Sequence, residues 1–379
     1  MKKIRVVFGL TDFIVGGMQR QFSEQARVFD CEKYEIILIT LSQHPEKAEL
    51  YDALPKDLEV HKLNFKGVKD VRSWWRLYAL LKILKPDIVV SSIFFANTVF
   101  RILRPLVGYI SIPREHNTYV DKSKLHQLVD RILSHLSYRI ATVSKSVADF
   151  TSKQEGIPLA KFAPITNGID VVKAQAQMAQ LPDKLALKKE LGYGENDVVL
   201  LNMARLVRQK NHDVLIEGFK KFYGAHPEYR LAIVGAGGLQ EKLQKHIHDS
   251  GLEDSVKLFG MRSDVWRFYK AADIFVSAAG IEGLSNAELE ALTAGLPLVS
   301  TRTSGTDELL VEDENGVFIE GFTACDVTDA LEEMAKVSRE DMGRKSLEHV
   351  KDYDIRATVD KYSKLFQNAL HDYDTESHR

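Results

Sequence analysis

One local pattern recurs along the chain: a short apolar run, a loop of glycines or small residues, then a stretch with helical spacing. Ile4-Arg5-Val6-Val7-Phe8 leads to Gly16-Gly17 and a helix expected to run through Phe29. The runs 34–40, 58–63, 87–91, 110–113 and 139–143 continue it, separated by helical stretches such as 73–84 and 123–137. Strands this apolar are buried on both faces, and helices between them make neighbouring strands parallel. The pattern restarts at 197–203 with a helix at 212–223, a strand at 230–234 ending in Gly235-Ala236-Gly237-Gly238, and a helix at 239–250. Strands at 256–259, 273–277 and 297–300 complete it. The expected fold class is α/β, with two doubly wound, Rossmann-like parallel sheets. A length of 379 residues suffices for two cores. The polar stretch 171–184, with Pro182, and the segment 164–170 form the expected hinge.

Composition narrows the setting. Two cysteines, Cys31 and Cys325, cannot make a disulfide framework, and no Cys/His cluster has zinc spacing, so a reducing cytoplasm fits. The run after Met1-Lys2-Lys3 is broken by Arg5 and Thr11-Asp12, too short for a signal peptide or a membrane span. Residues 1–170 carry 25 Lys+Arg against 18 Asp+Glu, net +7, which leaves net −9 on the remainder of a chain whose total is −2. The excess is concentrated at 61–85: Lys62, Lys66, Lys69, Arg72, Arg76, Lys82 and Lys85 face one acid, Asp70, with Trp74, Trp75 and Tyr78 interleaved. Such a helix suits an anionic membrane surface or a phosphate-bearing acceptor. It equally suits a packing helix with Trp75, Tyr78, Leu81 and Leu84 inward. Phe94 and Phe95, near Phe100, Arg101 and Arg104, form a second candidate surface. No nucleic-acid partner is expected.

In doubly wound sheets, ligands sit outside the carboxyl ends of the strands. Arg205 and Lys210 fall there, after the strand ending at Met203. Two fixed cations at that place stabilise a departing diphosphate more than its ground state. After the strand at 273–277, Glu282-Gly283-Leu284-Ser285-Asn286 runs into a helix carrying Glu290. The helix N-terminus offers unpaired N–H groups to an anion. A nucleotide-sugar would fit, with its diphosphate on Leu284, Ser285 and Asn286, Glu290 on ribose hydroxyls and Glu282 on the sugar. Gly16-Gly17 permits close backbone approach to a phosphate or another backbone. The Gly235 loop lacks the acid of a dinucleotide fingerprint, because Val256-Lys257-Leu258-Phe259 leads to Gly260 instead, and this argues against a dehydrogenase. No Asp-x-Asp sits at a strand end, so no metal is expected on the diphosphate.

These pieces occur in the order Gly16-Gly17, His116, Asn167-Gly168-Ile169-Asp170, Arg205, Lys210, Val234-Gly235-Ala236-Gly237, Glu282 and Glu290. In that order they resemble the retaining glycosyltransferases of family 4, whose E-x7-E motif matches the two glutamates. The resemblance covers nearly the whole chain. It implies a GT-B fold, two Rossmann-like domains facing a cleft: residues 1–170 for the acceptor, 171–352 for the donor, and a last helix at 353–370 returning to the first domain. It implies that His116 reaches the transferred sugar and that Gly260-Met261-Arg262 holds the base. Gly16, Gly17 and Gly235 would lie near the donor, and Ser144 and Lys145 match by position only. The loop Thr303-Ser304-Gly305-Thr306-Asp307-Glu308 resembles a small-residue loop near the donor. The implied reaction is metal-independent same-face transfer from a UDP-hexose or UDP-N-acetylhexosamine, with no cofactor, to a glycan or polyprenyl-diphosphate-linked acceptor in surface-polysaccharide assembly. The enzyme would be cytoplasmic and peripheral on the inner membrane face, with Lys66, Lys69, Arg72, Trp74, Arg76, Phe94 and Phe95 on the acceptor side. A nucleotide-sugar 2-epimerase of similar architecture, or a non-catalytic nucleotide-sugar binding subunit, are the alternatives.

Overall fold

The computed structural model describes residues 3–14, 16–43, 50–303 and 305–377; Met1, Lys2 and Ser304 lie outside the described residues. The chain divides into two compact units, residues 1–168 with 355–379, and residues 169–354.

Unit 1 holds β1 (Ile4–Leu10), β2 (Tyr34–Thr40), β3 (Glu59–Lys62), β4 (Ile88–Ser92), β5 (Ile110–Glu115), β6 (Ile140–Thr142) and β7 (Phe162–Pro164). They form a seven-stranded sheet in the order β3-β2-β1-β4-β5-β6-β7, with every pairing parallel. Alternate residues of one strand feed opposite faces: Val6, Phe8, Val90 and Ile112 enter one core, Val7, Ile37 and Val89 the other. That two-sided burial is why these strands read as unbroken apolar runs. β7 escaped the sequence pattern because it is three residues long and ends in Pro164, which has no N–H to give to a ladder.

The last helix, Ile355–Ser377, belongs to this unit because Val359, Tyr362, Phe366 and Ala369, spaced at three and four residues, are buried in the first of those cores. Phe366 stacks on Phe29 with centroids 6.1 Å apart. Its two large rings contribute roughly 1.5–3 kcal/mol each by burial alone. At its start Gly168 has no room for a side chain, since a Cβ would meet Thr358 Oγ1 at 2.5 Å.

Unit 2 holds β8 (Val198–Met203), β9 (Tyr229–Val234), β10 (Val256–Leu258), β11 (Ile274–Ser277), β12 (Leu298–Thr301) and β13 (Gly316–Ile319). All are parallel, in the order β10-β9-β8-β11-β12-β13. Strand order reverses at β1/β4 in unit 1 and at β8/β11 in unit 2. At such a reversal helices leave toward opposite faces and a crevice opens at the carboxyl edge.

Two expectations need correction. The stretch 171–184 is no linker: it contributes the helices Val171–Ala179 and Lys184–Glu190 to unit 2. Each is started by an aspartate, Asp170 accepting from the N–H of Lys173 at 3.1 Å and Asp183 from that of Ala186 at 2.8 Å. The units divide at Gly168/Ile169 and Asp354/Ile355 rather than at 170 and 352. In the basic helix Val71–Leu84, the inward face is Ser73, Leu77, Leu81 and Leu84, whereas Trp75 is 68% exposed. Tyr78, 5.4 Å from Trp75 between centroids, is half-buried against the core, so of the expected inward residues Trp75 alone faces out. Among the described residues no helix is long and apolar enough to cross a membrane.

Candidate functional site

The reversal in unit 2 gathers the charged residues singled out above. The loop after β8 carries Arg205 and then a 3-10 turn, Arg208–Lys210, closed by Asn211 in a left-handed conformation at φ 49°. The loop after β11 is tied to it: Gly280 donates its N–H to the Gln209 carbonyl at 2.9 Å, and Gln209 Nε2 donates to the Ile281 carbonyl at 2.7 Å. That lacing delivers Glu282 to Lys210, and the two form an ion pair with side chains 15% and 17% exposed. Burial holds the Lys210 ammonium down to about 8; Glu288 pulls it up and Arg205 pushes it further down. Arg205 is exposed and makes no ion pair among the described residues. His212, at the start of the next helix, is pushed down to about 4 by burial and by Lys210, so it is neutral.

The glutamate loop ends where predicted. Ser285 caps the helix Asn286–Thr293, its Oγ accepting from the Glu288 N–H at 3.3 Å, and Leu284 is buried beneath the turn. Glu290 stands one turn into this helix. Its Oε2 accepts from the Tyr269 hydroxyl at 2.7 Å.

The glycine loop after β9 backs the β8 loop. Gly235, at φ 148°, donates to the Gly260 carbonyl at 2.8 Å, and a Cβ on it would collide with the Ala204 carbonyl. Glycine is required there by backbone packing, whatever else the loop does. Met261 is exposed, and Arg262 is engaged by its neighbour Asp264 through bonds of 2.8 and 2.7 Å.

In unit 1, Gly16 precedes and Gly17 begins the helix Gly17–Val28 after β1. His116 follows β5, where burial and Arg114 hold its imidazole well below the usual histidine range. Its Nε2 is buried without a hydrogen-bond partner among the described residues. Phe94 packs against His126 at 4.1 Å with the rings tilted by 37°, and Phe95 meets Phe65 edge-on at 5.9 Å, so neither is a wholly free surface group. Lys66, Lys69, Arg72 and Arg76 are exposed; Trp74 is half-buried, its Nε1 donating to the Val68 carbonyl at 2.9 Å.

Two buried charge arrangements had no sequence signal. Beside His116, Glu115 accepts from Asn97 Nδ2 at 3.2 Å and is pushed up to about 7 by burial, against the pull of Lys122. Lys122 pairs with Glu155 and, at 2.5 Å, with Asp130, which also binds Arg101. In unit 2, Glu288 is fully buried and accepts from Ser300 Oγ at 2.6 Å. Both glutamates lie at strand or helix ends, where apolar periodicity says nothing of polar partners.

A cavity of 890 Å³, lined by Lys184, Tyr269, Lys270, Asp273 and Leu296, opens at the amino ends of β11 and β12. The charged site occupies the opposite, carboxyl edge, where the chemistry of this architecture resides.

Comparison with known proteins identifies the family and the fold. Residues 15–173 match the model of Glycosyltransferase Family 4, and residues 183–351 that of Glycosyl transferases group 1. The chain belongs to this family and is a glycosyltransferase of the hexosyl-transferring kind. It is 27% identical over 320 residues to the Escherichia coli UDP-Gal:alpha-D-GlcNAc-diphosphoundecaprenol alpha-1,3-galactosyltransferase, covering 81% of each chain. It is 27% identical over 257 residues to an uncharacterized glycosyltransferase of Methanocaldococcus jannaschii, covering 63% of this chain and 62% of that protein. The crystal structure of Anabaena HepE in complex with UDP superposes with a TM-score of 0.82 at 16% identity, covering 96% of this chain and 100% of that one. The fold is therefore GT-B.

Proposed function

We propose that the protein transfers a hexose or N-acetylhexosamine from a UDP-sugar, with retention of configuration, to a glycan or polyprenyl-diphosphate-linked acceptor of surface-polysaccharide assembly. The observation that carries this reading is the convergence of Arg205, Lys210 and Glu282 on loops following β8 and β11, the adjacent strands at the sheet reversal. The UDP bound to Anabaena HepE and the donor and acceptor named for the E. coli relative support the choice of substrates.

As the bond from the sugar C1 to the diphosphate oxygen breaks, negative charge grows on that oxygen beside Lys210 and Arg205, which stabilise it. The acceptor oxygen bonds to C1 on the face being vacated, and its proton passes to the leaving phosphate oxygen. Glu282 exchanges Lys210 for sugar hydroxyls and orients the ring, and no metal is needed to neutralise the diphosphate. Glu290 stands within the helix with its Oε2 accepting from the Tyr269 hydroxyl, so Glu282 is assigned to orient the sugar rather than to share a two-carboxylate scheme flanking one carbon. Glu290 and Met261-Arg262 take the nucleoside side, Leu284, Ser285 and Asn286 the phosphates, and neutral His116 a hydrogen bond to the sugar. The exposed basic residues Lys66, Lys69, Arg72 and Arg76, beside Trp75, make the enzyme peripheral on an anionic membrane face.

The test is a calorimetric screen of UDP-, GDP- and ADP-sugars, then transfer to a prenyl-diphosphate glycan with the product anomer read by NMR. An inverted product, or full transfer by Glu282→Gln, refutes the mechanism.

A further inference from the structure

Glu288 lies between the two motif glutamates, on the first turn of the helix Asn286–Thr293, and is 1% exposed. A carboxyl group in such a place is costly unless its partners compensate, and an aliphatic side chain would fill the same space without that cost. Its partners come from three segments. Ser300 Oγ, at the end of β12, donates to Oε1 at 2.6 Å. Thr306 Oγ1 lies 3.4 Å from both carboxylate oxygens and 2.8 Å from Thr303 Oγ1. Gly305, within that loop, is pressed on the glutamate turn: a Cβ there would meet Leu284 Cα at 2.5 Å and collide with the Gly283 carbonyl. One buried carboxylate therefore joins the helix, the end of β12 and the Thr303–Thr306 loop, and that loop rests on the backbone next to Glu282.

We propose that Glu288 is a positioning residue for the donor diphosphate: it locks the Thr303–Thr306 loop against the Gly283-Leu284 turn and supplies the buried negative charge behind Lys210. The inference rests on the reading of the Lys210–Glu282 edge as the diphosphate site. The groups facing Lys210 are Glu282 from the β11 loop, Glu288 from the helix, and Arg205 and neutral His212 from its own loop and the helix that follows. Ser300 and Thr306 face Glu288, with Thr303 behind Thr306. When Glu282 turns to the sugar, Glu288 alone of these carries negative charge to hold a proton on Lys210 against burial and Arg205. Burial pushes Glu288 itself up to about 7, with Ser300, Lys210 and Thr306 pulling it down, so it is charged where Lys210 begins to lose its proton, at about 8.

The experiment is calorimetric titration of the full chain with UDP from pH 6.5 to 9.5, for the wild type and for Glu288→Gln. The amide keeps the size and removes the charge. UDP affinity of the wild type should fall as pH rises through about 8. In Glu288→Gln the fall should come about one pH unit earlier, so that affinity is about fivefold weaker at pH 8 and within about twofold at pH 6.5. In turnover, the donor KM should rise at pH 8 with kcat little changed. A variant curve that superposes on the wild type, or is displaced equally at every pH, overturns the role. Should Glu288→Gln lack a cooperative melt, Ser300→Ala with Thr306→Val decides. Loss of those donors raises the Glu288 carboxyl and must move the midpoint the same way, and an unmoved midpoint overturns the proposal. Failure of the wild type to bind UDP, ADP or GDP at any pH refutes the diphosphate site itself, and this inference with it.

Discussion

Replacing Lys210 with methionine should abolish transfer and leave unit 2 as stable as before, or more so. An ammonium held down to about 8 by burial is stabilised less in the folded chain than in water, where its ordinary value is roughly 10.4. At pH 7 that difference costs the folded state about 3 kcal/mol. Methionine fills similar space without the charge. Against the gain stands the lost ion pair with Glu282, which at 17% exposure costs on the order of 1 kcal/mol when left single. The net expectation is a gain of about 1–2 kcal/mol, or a rise in Tm of roughly 2–8 °C for a unit of this size. The sign can be checked by pH. The folded-state value lies below the unfolded one, so the penalty is complete below about pH 8 and fades as pH rises toward 10, where the lysine is neutral in both states. Scanning calorimetry of wild type and Lys210→Met at pH 7 and 9.5 should show the advantage shrinking by more than half. A variant that melts several degrees lower at pH 7, or a difference independent of pH, would refute the view that Lys210 is kept for chemistry at a cost in stability. Donor affinity should drop at least a hundredfold, on the order of the ~3 kcal/mol a close cation contributes to a phosphate in a partly buried site.

Glu115 is raised to about 7 by burial, so it contributes stability that is full in acid and is lost as pH rises through 7; Glu115→Gln, followed by urea unfolding at pH 5 and 8, should flatten that dependence, and a parallel decline refutes it. His116→Asn should lower kcat without moving UDP affinity. Because the imidazole is held well below its usual range, the wild-type kcat profile should lack an inflection between pH 6 and 7 that the variant removes. Gly235→Ala forces a Cβ into the Ala204 carbonyl at φ 148° and should cost roughly 2–4 kcal/mol, seen as a Tm lowered by 5 °C or more. Sedimentation with vesicles of anionic phospholipid should capture the protein at low salt and release it near 0.5 M, about five times the ionic strength at which the Debye length is 10 Å; binding indifferent to salt, or none, counts against the exposed basic helix as a membrane surface.

The architecture could be read from the chain because a doubly wound sheet buries both faces of each strand, and burial is written in consecutive residues such as Ile36 to Ile39 or Val198 to Leu201. What periodicity could not supply was anything decided by a partner distant in sequence. Trp75 looked like core by its aromatic character, yet Leu77 and Leu81 took the inner face, because hydrophobicity ranks residues and does not say which side of the helix meets the sheet. The stretch after Asp170 looked like a linker because it is polar, although Asp170 and Asp183 are ordinary helix starters. β13 was hidden by Gly316, whose Cβ would strike the Leu298 carbonyl of the next strand: a residue that usually marks a turn is here the condition for close pairing.

At the site the same division holds, with a sharper consequence. Arg205, Lys210, Glu282 and Ser285 were visible because each stands on a loop that follows an apolar strand, and topology alone sends such loops to one edge. Glu288 was invisible because, in sequence, it is one more polar residue on a short helix between two glutamates that drew the attention. Only the fold shows that its neighbours are Ser300 and Thr306, 12 and 18 residues further on. Charged groups exposed on loops can be inferred from order along the chain, whereas charged groups inside must be compensated by partners that order does not specify. If binding at this edge depends on how firmly Lys210 holds its proton, the residue that sets it belongs to the second kind. The pH dependence of donor binding then reports on that residue more directly than the motif does.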